Sequence, residues 1–190
     1  MKLEGPLPTM LTARLVLRPF TMDDAGELAR SAGAREVART TLRIPHPYAE
    51  SQARDYIATI EPTWSAGKGA SFAIIDRASN TLAGGVGLAF ESAHNNAELG
   101  YWVAVHAWGN GIATESATRV IDWGFGELQL SRIHAHAFGS NPASSRVLEK
   151  LGMKHEGTLR KHIHKWGEIE DAVMYGVLVE EWQTRRAAGC

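Results

Sequence analysis

Cysteine is nearly missing from this chain: the single one is the last residue, Cys190. That excludes an internal disulfide framework and a cysteine-ligated zinc cluster. A nucleophile on a fraying terminus is also poorly held for covalent acyl transfer. A bias toward charge of one sign is lacking as well. Twenty basic residues face 21 acidic ones for a net charge of −1, so no global field draws the chain to nucleic acid or an anionic membrane. No apolar run approaches the roughly 18 residues that cross a bilayer. The opening Met1-Lys-Leu-Glu-Gly-Pro-Leu-Pro8 lacks the apolar core of a secretory signal. These absences predict a cytoplasmic protein with no membrane partner and no direct nucleic-acid partner. No Gly-Lys-Ser/Thr signature follows a strand, which sets aside a P-loop kinase.

What is present fits one domain over residues 1–190, with 44% hydrophobic residues to build a core. Arg14 to Phe20 reads as a first strand near a sheet edge, stopped by Pro19. Thr21, Asp23 and Asp24 then suit the start of a helix running toward Arg30. Pro45 and Pro47 make the span from Thr40 to Tyr48 a loop. A second helix is expected from Glu50 to Ile60, with Pro62 ending it. Phe72 to Ile75, Leu82 to Phe90 and Glu98 to Val105 read as three strands of an antiparallel meander. A helix whose buried face is mostly small residues (Ala113, Ala117, Val120, Ile121, Gly124, Leu128) leads to a strand from Arg132 to Phe138. Asn141-Pro142 opens the next helix and Gly152 closes it after Leu151. His155 to Trp166 and Asp171 to Val179 form a hairpin about Gly167. The resulting class is α/β (α+β): a mixed, mostly antiparallel twisted sheet of about seven strands with helices on both faces. The strands from Glu98 and Arg132, joined through a helix, are expected to run parallel.

The richest stretch is Trp108-Gly-Asn-Gly-Ile-Ala-Thr114, between the strand from Glu98 and the next helix. A strand passing through a glycine turn into a helix aims several backbone N–H groups at one spot, where the helix dipole also favours negative charge. Ligands of open α/β sheets collect at that end of such strands.

GYWVAVHAWGNGIATES, followed about 30 residues later by NPASSRVLEKLGM, resembles the GCN5-related N-acetyltransferases (GNAT), in particular the ribosomal-protein N-terminal acetyltransferase branch. RLVLRPF near the start and GTLRKHIHKWGEIEDAVMYGVLVEEW near the end extend the resemblance over nearly the whole chain. It implies transfer of acetyl from acetyl-CoA to a primary amine, with no metal. It also implies a pyrophosphate cradle at Gly109, Asn110, Gly111, Ile112, Ala113 and Thr114, and a strand that pairs with the pantetheine arm at Val103 and Val105. Trp108 stands where the wider superfamily has Gln or Arg, which removes one side-chain phosphate contact and leaves the backbone cradle intact. Asn141 resembles the asparagine that hydrogen-bonds near the pantetheine amide. The tyrosine that many members place seven residues later, to protonate the departing thiolate, is here Leu148. Ser144 resembles the serine this branch sets near the thioester, as a hydrogen-bond donor to the thiolate or a relay from water. Arg146 and Lys150 are in reach of the cofactor phosphates, or are solvated helix residues.

An ammonium must lose a proton before it attacks a thioester. Glu98, at the start of the strand, is the candidate acceptor of that proton through water; the bland alternative is a solvated strand end. His134 with His136, and His162 with His164, share strand faces, but no third ligand cluster accompanies them, so packing or a polar substrate face is favoured over zinc. Arg43, His46 and Tyr48 of the proline-bounded loop are candidates to line an acceptor cleft; the alternative is plain surface. The acceptor that follows from the resemblance is a protein or peptide N-terminal amine, attacked directly in a ternary complex. Alternatives are a small amine such as a polyamine or aminoglycoside, or a non-catalytic acyl-CoA sensor. A homodimer is compatible with the family and demanded by no residue.

Overall fold

The computed structural model describes residues 5–189, so Cys190 lies outside the described residues. The chain builds one eight-stranded sheet in the order β1-β2-β3-β4-β5-β6-β8-β7. The strands are β1 Met10–Leu11, β2 Leu15–Pro19, β3 Gly69–Asp76, β4 Leu82–Glu91, β5 Asn96–Val103, β6 Arg132–Phe138, β7 Lys154–Lys165 and β8 Glu168–Leu178. Among the described residues only β5 and β6 pair in parallel; every other neighbouring pair is antiparallel. The helices are α1 Ala25–Ala32, α2 Arg35–Ala38, α3 Glu50–Ser65, α4 Ile112–Gly126, α5 Pro142–Lys150 and α6 Val179–Ala187. The architecture is the expected mixed α/β sheet, with one strand more than anticipated because the two-residue β1 pairs with β2.

Burial follows the strand period. Ile133, Ala135 and Ala137 are buried, while Arg132, His134 and His136 alternate with them on the half-exposed face of β6. In β3, Phe72, Ala73, Ile74 and Ile75 are all buried, so both faces of the sheet centre are covered. Trp123 of α4 packs edge-on against Phe72 at 5.5 Å and beside Trp64 of α3 at 5.8 Å. Small residues let α4 approach the sheet closely: a Cβ on Gly124 would come within 3.0 Å of Ile133. Between β2 and α1, the buried Asp24 accepts two bonds from Arg18, at 2.7 and 2.8 Å, and one from the Thr21 N–H at 2.7 Å. Burial pushes that carboxyl up, but Arg18 and Thr21 outweigh it and hold it below the usual range.

Two expectations are corrected, and one helix is added. Pro62 does not end α3, which continues to Ser65. Proline costs the helix one backbone bond, and the buried Trp64, whose Nε1 donates to the Gly5 carbonyl at 2.9 Å, anchors the last turn. The strand from Glu98 ends at Val103, because Val105 opens a 3₁₀ turn over Val105–Ala107. A helix, α6, follows the final hairpin, and its only buried residue is Trp182, whose Nε1 donates to Asp122 at 2.8 Å.

Candidate active site

The parallel pair is short. Asn96, Ala97 and Glu98 of β5 stand opposite Arg132, Ile133 and His134 of β6, and beyond that point the strands part although both continue. Past Glu98, β5 remains paired with β4 on its other side as far as Val103. Its edge toward β6 is therefore left with unpaired backbone groups, available to an extended ligand. A cavity of about 980 Å³ fills the gap and runs on toward α3 and the loop around Arg43.

One end of the cavity is formed by the glycine turn. Gly109 and Gly111 both have φ +76°, a left-handed conformation that glycine adopts without a Cβ penalty. Gly111 caps α4, and the N–H groups of residues 109 to 114 reach no acceptor among the described residues. These donors, with the positive end of the α4 dipole, suit a pyrophosphate in chemistry. Across the gap, α5 contributes Asn141, Ser144, Arg146 and Lys150 to the lining. Neither Arg146 nor Lys150 has an ion-pair partner among the described residues. Trp108 lines the cavity while about half exposed, and its Nε1 donates to the Val103 carbonyl at 2.7 Å. It braces the turn against the end of β5.

Of the residues expected at the cofactor, Val103, Trp108, Gly109, Gly111, Ile112, Ala113, Thr114, Asn141, Arg146 and Lys150 line the cavity. Val105 does not: it sits in the 3₁₀ turn beyond the strand, exposed to solvent. Asn110 also lies off the lining; its side chain folds back to the Trp108 carbonyl at 3.2 Å.

The opposite end gathers the titratable groups. Oε1 of Glu98 lies 2.7 Å from Nδ1 of His136. An ionised carboxylate only accepts, so Nδ1 carries the hydrogen of this bond; whenever the ring holds no second proton, Nε2 is an acceptor. His136 holds the Glu98 carboxyl below its usual range, against the opposing effect of burial. Asn141 caps α5, its Oδ1 accepting from the Ser144 N–H at 3.2 Å. Leu148 is fully buried, so no acid is supplied from that helix position. Tyr101 of β5 stands close to Ser144 instead, with the two hydroxyl oxygens 2.8 Å apart. Burial pushes the Tyr101 phenol up to about 12. Sequence reasoning missed both Tyr101 and the link to His136. Tyr101 sits within an apolar run that reads as core, and each pairing joins residues far apart in the chain. The half-polar face of β6 was the available signal for His136.

Toward α3 the cavity is lined by Arg43 and Tyr48 of the loop, by Tyr56 and Thr59 of α3, and by Ser71. His46 does not join them; its Nδ1 lies 2.8 Å from the Gly33 carbonyl and holds the loop in place. From the β7–β8 hairpin, Lys165 Nζ donates to the carbonyls of Leu42 and Ile44 at 3.2 and 2.8 Å. Among the described residues, no three His, Cys, Asp or Glu side chains gather as a metal site.

Comparison with known proteins shows the family. Residues 14–154 match the family model described as "Acetyltransferase (GNAT) domain". An uncharacterized N-acetyltransferase of Bacillus subtilis (strain 168), YoaA, is 33% identical over 172 residues, covering 90% of this chain and 97% of its own. This chain thus belongs to the GNAT family of N-acetyltransferases. Two solved structures share the fold. Mycobacterium smegmatis RimJ in complex with CoA-disulfide has a TM-score of 0.80 at 24% identity, covering 92% of this chain and 89% of its own. The ribosomal-protein-S5-alanine acetyltransferase of Vibrio fischeri has a TM-score of 0.81 at 20% identity, covering 92% and 98%.

Proposed function

We propose that residues 1–190 act as one acetyltransferase domain that moves acetyl from acetyl-CoA to the N-terminal amine of a protein or peptide, by direct attack within a ternary complex. One observation carries the reading. The gap between β5 and β6 has an anion cradle at one end and the Glu98–His136 pair at the other. In this reading the glycine turn, Arg146 and Lys150 hold the phosphates, and the free edge of β5 up to Val103 pairs with the pantetheine arm. Asn141 Nδ2, which makes no hydrogen bond among the described residues, donates to a pantetheine carbonyl.

The acceptor arrives as an ammonium, since an α-amine titrates near 7.7–8.0. Glu98, held in its charged form, draws that ammonium in and orients the His136 ring. One proton passes, directly or through water, to the Nε2 side of the pair before the amine attacks, and a second leaves the nitrogen for water as the amide forms. Ser144 donates a hydrogen bond to the sulfur, which leaves with the electron pair of the C–S bond. The alanine acetyltransferase fold relative adds support for an α-amine, because alanine offers no side-chain amine. The lining also disfavours a polyamine: its one carboxylate is Glu98, already paired, while Arg43 and Lys68 are cations.

Thiol release from acetyl-CoA, followed with N-terminally free peptides, polyamines and aminoglycosides, tests the reading. Peptides are expected to be acetylated on the α-amine, shown by mass spectrometry. Turnover confined to polyamines would replace the acceptor. Absence of turnover with every amine, alongside intact CoA binding, would favour the sensor.

A further inference from the structure

The two walls of the cavity are joined by one side-chain hydrogen bond that the proposed chemistry has not yet used. Tyr101 projects from β5, whose edge faces the gap, and Ser144 stands in the first turn of α5 across it; both line the cavity. Their oxygens are 2.8 Å apart, and the phenol also lies 3.3 Å from the Ser144 carbonyl. A serine hydroxyl has one proton and rotates freely, and near a helix start it commonly turns back to the backbone. Ser144 makes no such backbone bond among the described residues.

We propose that Tyr101 positions Ser144: the phenol donates to Ser144 Oγ, so the serine's single proton points across the cavity at the sulfur of the departing thiolate. The pair replaces the hydroxyl that Leu148 cannot supply, and the inference rests on the acetyl-CoA reading above. Burial holds the phenol's ionisation near 12, so Tyr101 keeps its proton at working pH and acts by donating a hydrogen bond. The step balances without proton transfer from either hydroxyl. The amine's electron pair forms the C–N bond, the C–S bond breaks, and sulfur keeps its pair, stabilised by the Ser144 O–H. Two protons leave the nitrogen: the ammonium proton goes to the Glu98–His136 pair and on to water before attack, the second is released to water as the amide forms, and the thiolate takes a proton from solvent. The thiol of a free cysteine ionises near 8.5, which sets the scale for a thiol's acidity, so a hydrogen-bonded thiolate is a competent leaving group.

The test compares binding of CoA with that of desulfo-CoA, which lacks the thiol, by calorimetry at about pH 8.5, where the thiol is partly ionised. Wild type is expected to prefer CoA. Ser144→Ala should cut that preference about ten-fold, the lower end for a hydrogen bond to a charged group, and Tyr101→Phe about five-fold, because it removes only the orientation of that bond. The double variant should fall no further than Ser144→Ala. In turnover, Tyr101→Phe should lower kcat about ten-fold and leave KM for acetyl-CoA within about two-fold. A Tyr101→Phe protein with wild-type preference and kcat overturns the inference. Equal losses of CoA and desulfo-CoA overturn it as well, because they mark a merely structural role. Should Tyr101→Phe fail to fold, Ser144→Ala decides, since it removes only a half-buried hydroxyl; an unchanged thiol preference there refutes the pair. Wild type that binds neither ligand would instead refute the acetyl-CoA reading, and does so before any variant is compared.

Discussion

Replacing Glu98 with Gln isolates charge from shape. The amide oxygen of Gln can still accept from His136 Nδ1 at the observed 2.7 Å, so the ring stays oriented while its anionic partner is lost. When the ring takes the amine's proton, an imidazolium forms next to a neutral group. The lost increment is that of a hydrogen bond to a charged partner, about 1.5–3 kcal/mol, which converts to roughly 10- to 150-fold in kcat/KM. Both side chains are partly solvated, which favours the lower half of that range. The assay is thiol release at neutral pH with a peptide acceptor, accompanied by CoA titration. Binding of CoA should stay within about two-fold of wild type, because the phosphate cradle lies at the other end of the cavity. The same variant has a stability signature of known sign. His136 depresses the folded-state value of Glu98, so its contribution is present above the unfolded carboxylate value and lost as pH falls through the depressed one. The melting-temperature gap between wild type and variant should therefore close below about pH 4. Turnover unchanged by Glu98→Gln would remove the carboxylate from the chemistry.

Three further outcomes follow from the geometry. Gly111→Ala places a side chain at φ +76° with no neighbour closer than Arg14 at 3.5 Å, so its cost is that of the backbone alone. About 1–2 kcal/mol, or roughly 2–8 °C in a thermal melt, is expected, together with weaker CoA binding. Trp108→Phe keeps the ring and deletes the bond to the Val103 carbonyl. CoA affinity should drop about five-fold without loss of secondary structure by circular dichroism, and unchanged affinity would refute the brace. Asp24→Asn breaks the charge of the buried corner with Arg18. It should cost about 2 kcal/mol in urea denaturation at neutral pH, with the loss shrinking as pH falls through Asp24's depressed value.

The parts legible in the sequence are those with local causes. Alternation marked β6 at Arg132–Phe138, Asn141-Pro142 marked the start of α5, and the glycines marked the turn before α4. The parts that were not legible depend on distant neighbours or lack a pattern. In α6, Trp182 alone is buried, so there is no apolar stripe for a helical period to show. Pro62 is a helix breaker by local rule, overridden by the anchoring of Trp64. Val105 continues an apolar run, yet the ladder bond from the Ala104 N–H to the Ala83 carbonyl is the last before the chain turns away. Tyr101 and Ser144, 43 positions apart, meet only because β5 and α5 border the same gap.

That gap is fixed at both levels. At its vertex Ser131 holds the two strands together, its N–H and hydroxyl donating to the Asn95 carbonyl at 3.0 and 2.9 Å, while Asn95 Nδ2 donates to the Gln129 carbonyl. Farther out, the Tyr101–Ser144 bond spans the opening, and Trp108 ties the glycine turn to the end of β5. The groups proposed to hold the acyl donor thus stand on strands and helix starts secured by their own hydrogen bonds, which is the arrangement that spares a ligand the entropy of ordering its site. The proposed acceptor side is built differently, from a loop held by the Lys165 ammonium and by His46. Sequence change in residues 40–48 or at the hairpin tip can therefore alter which amine is received while the strand gap keeps its shape.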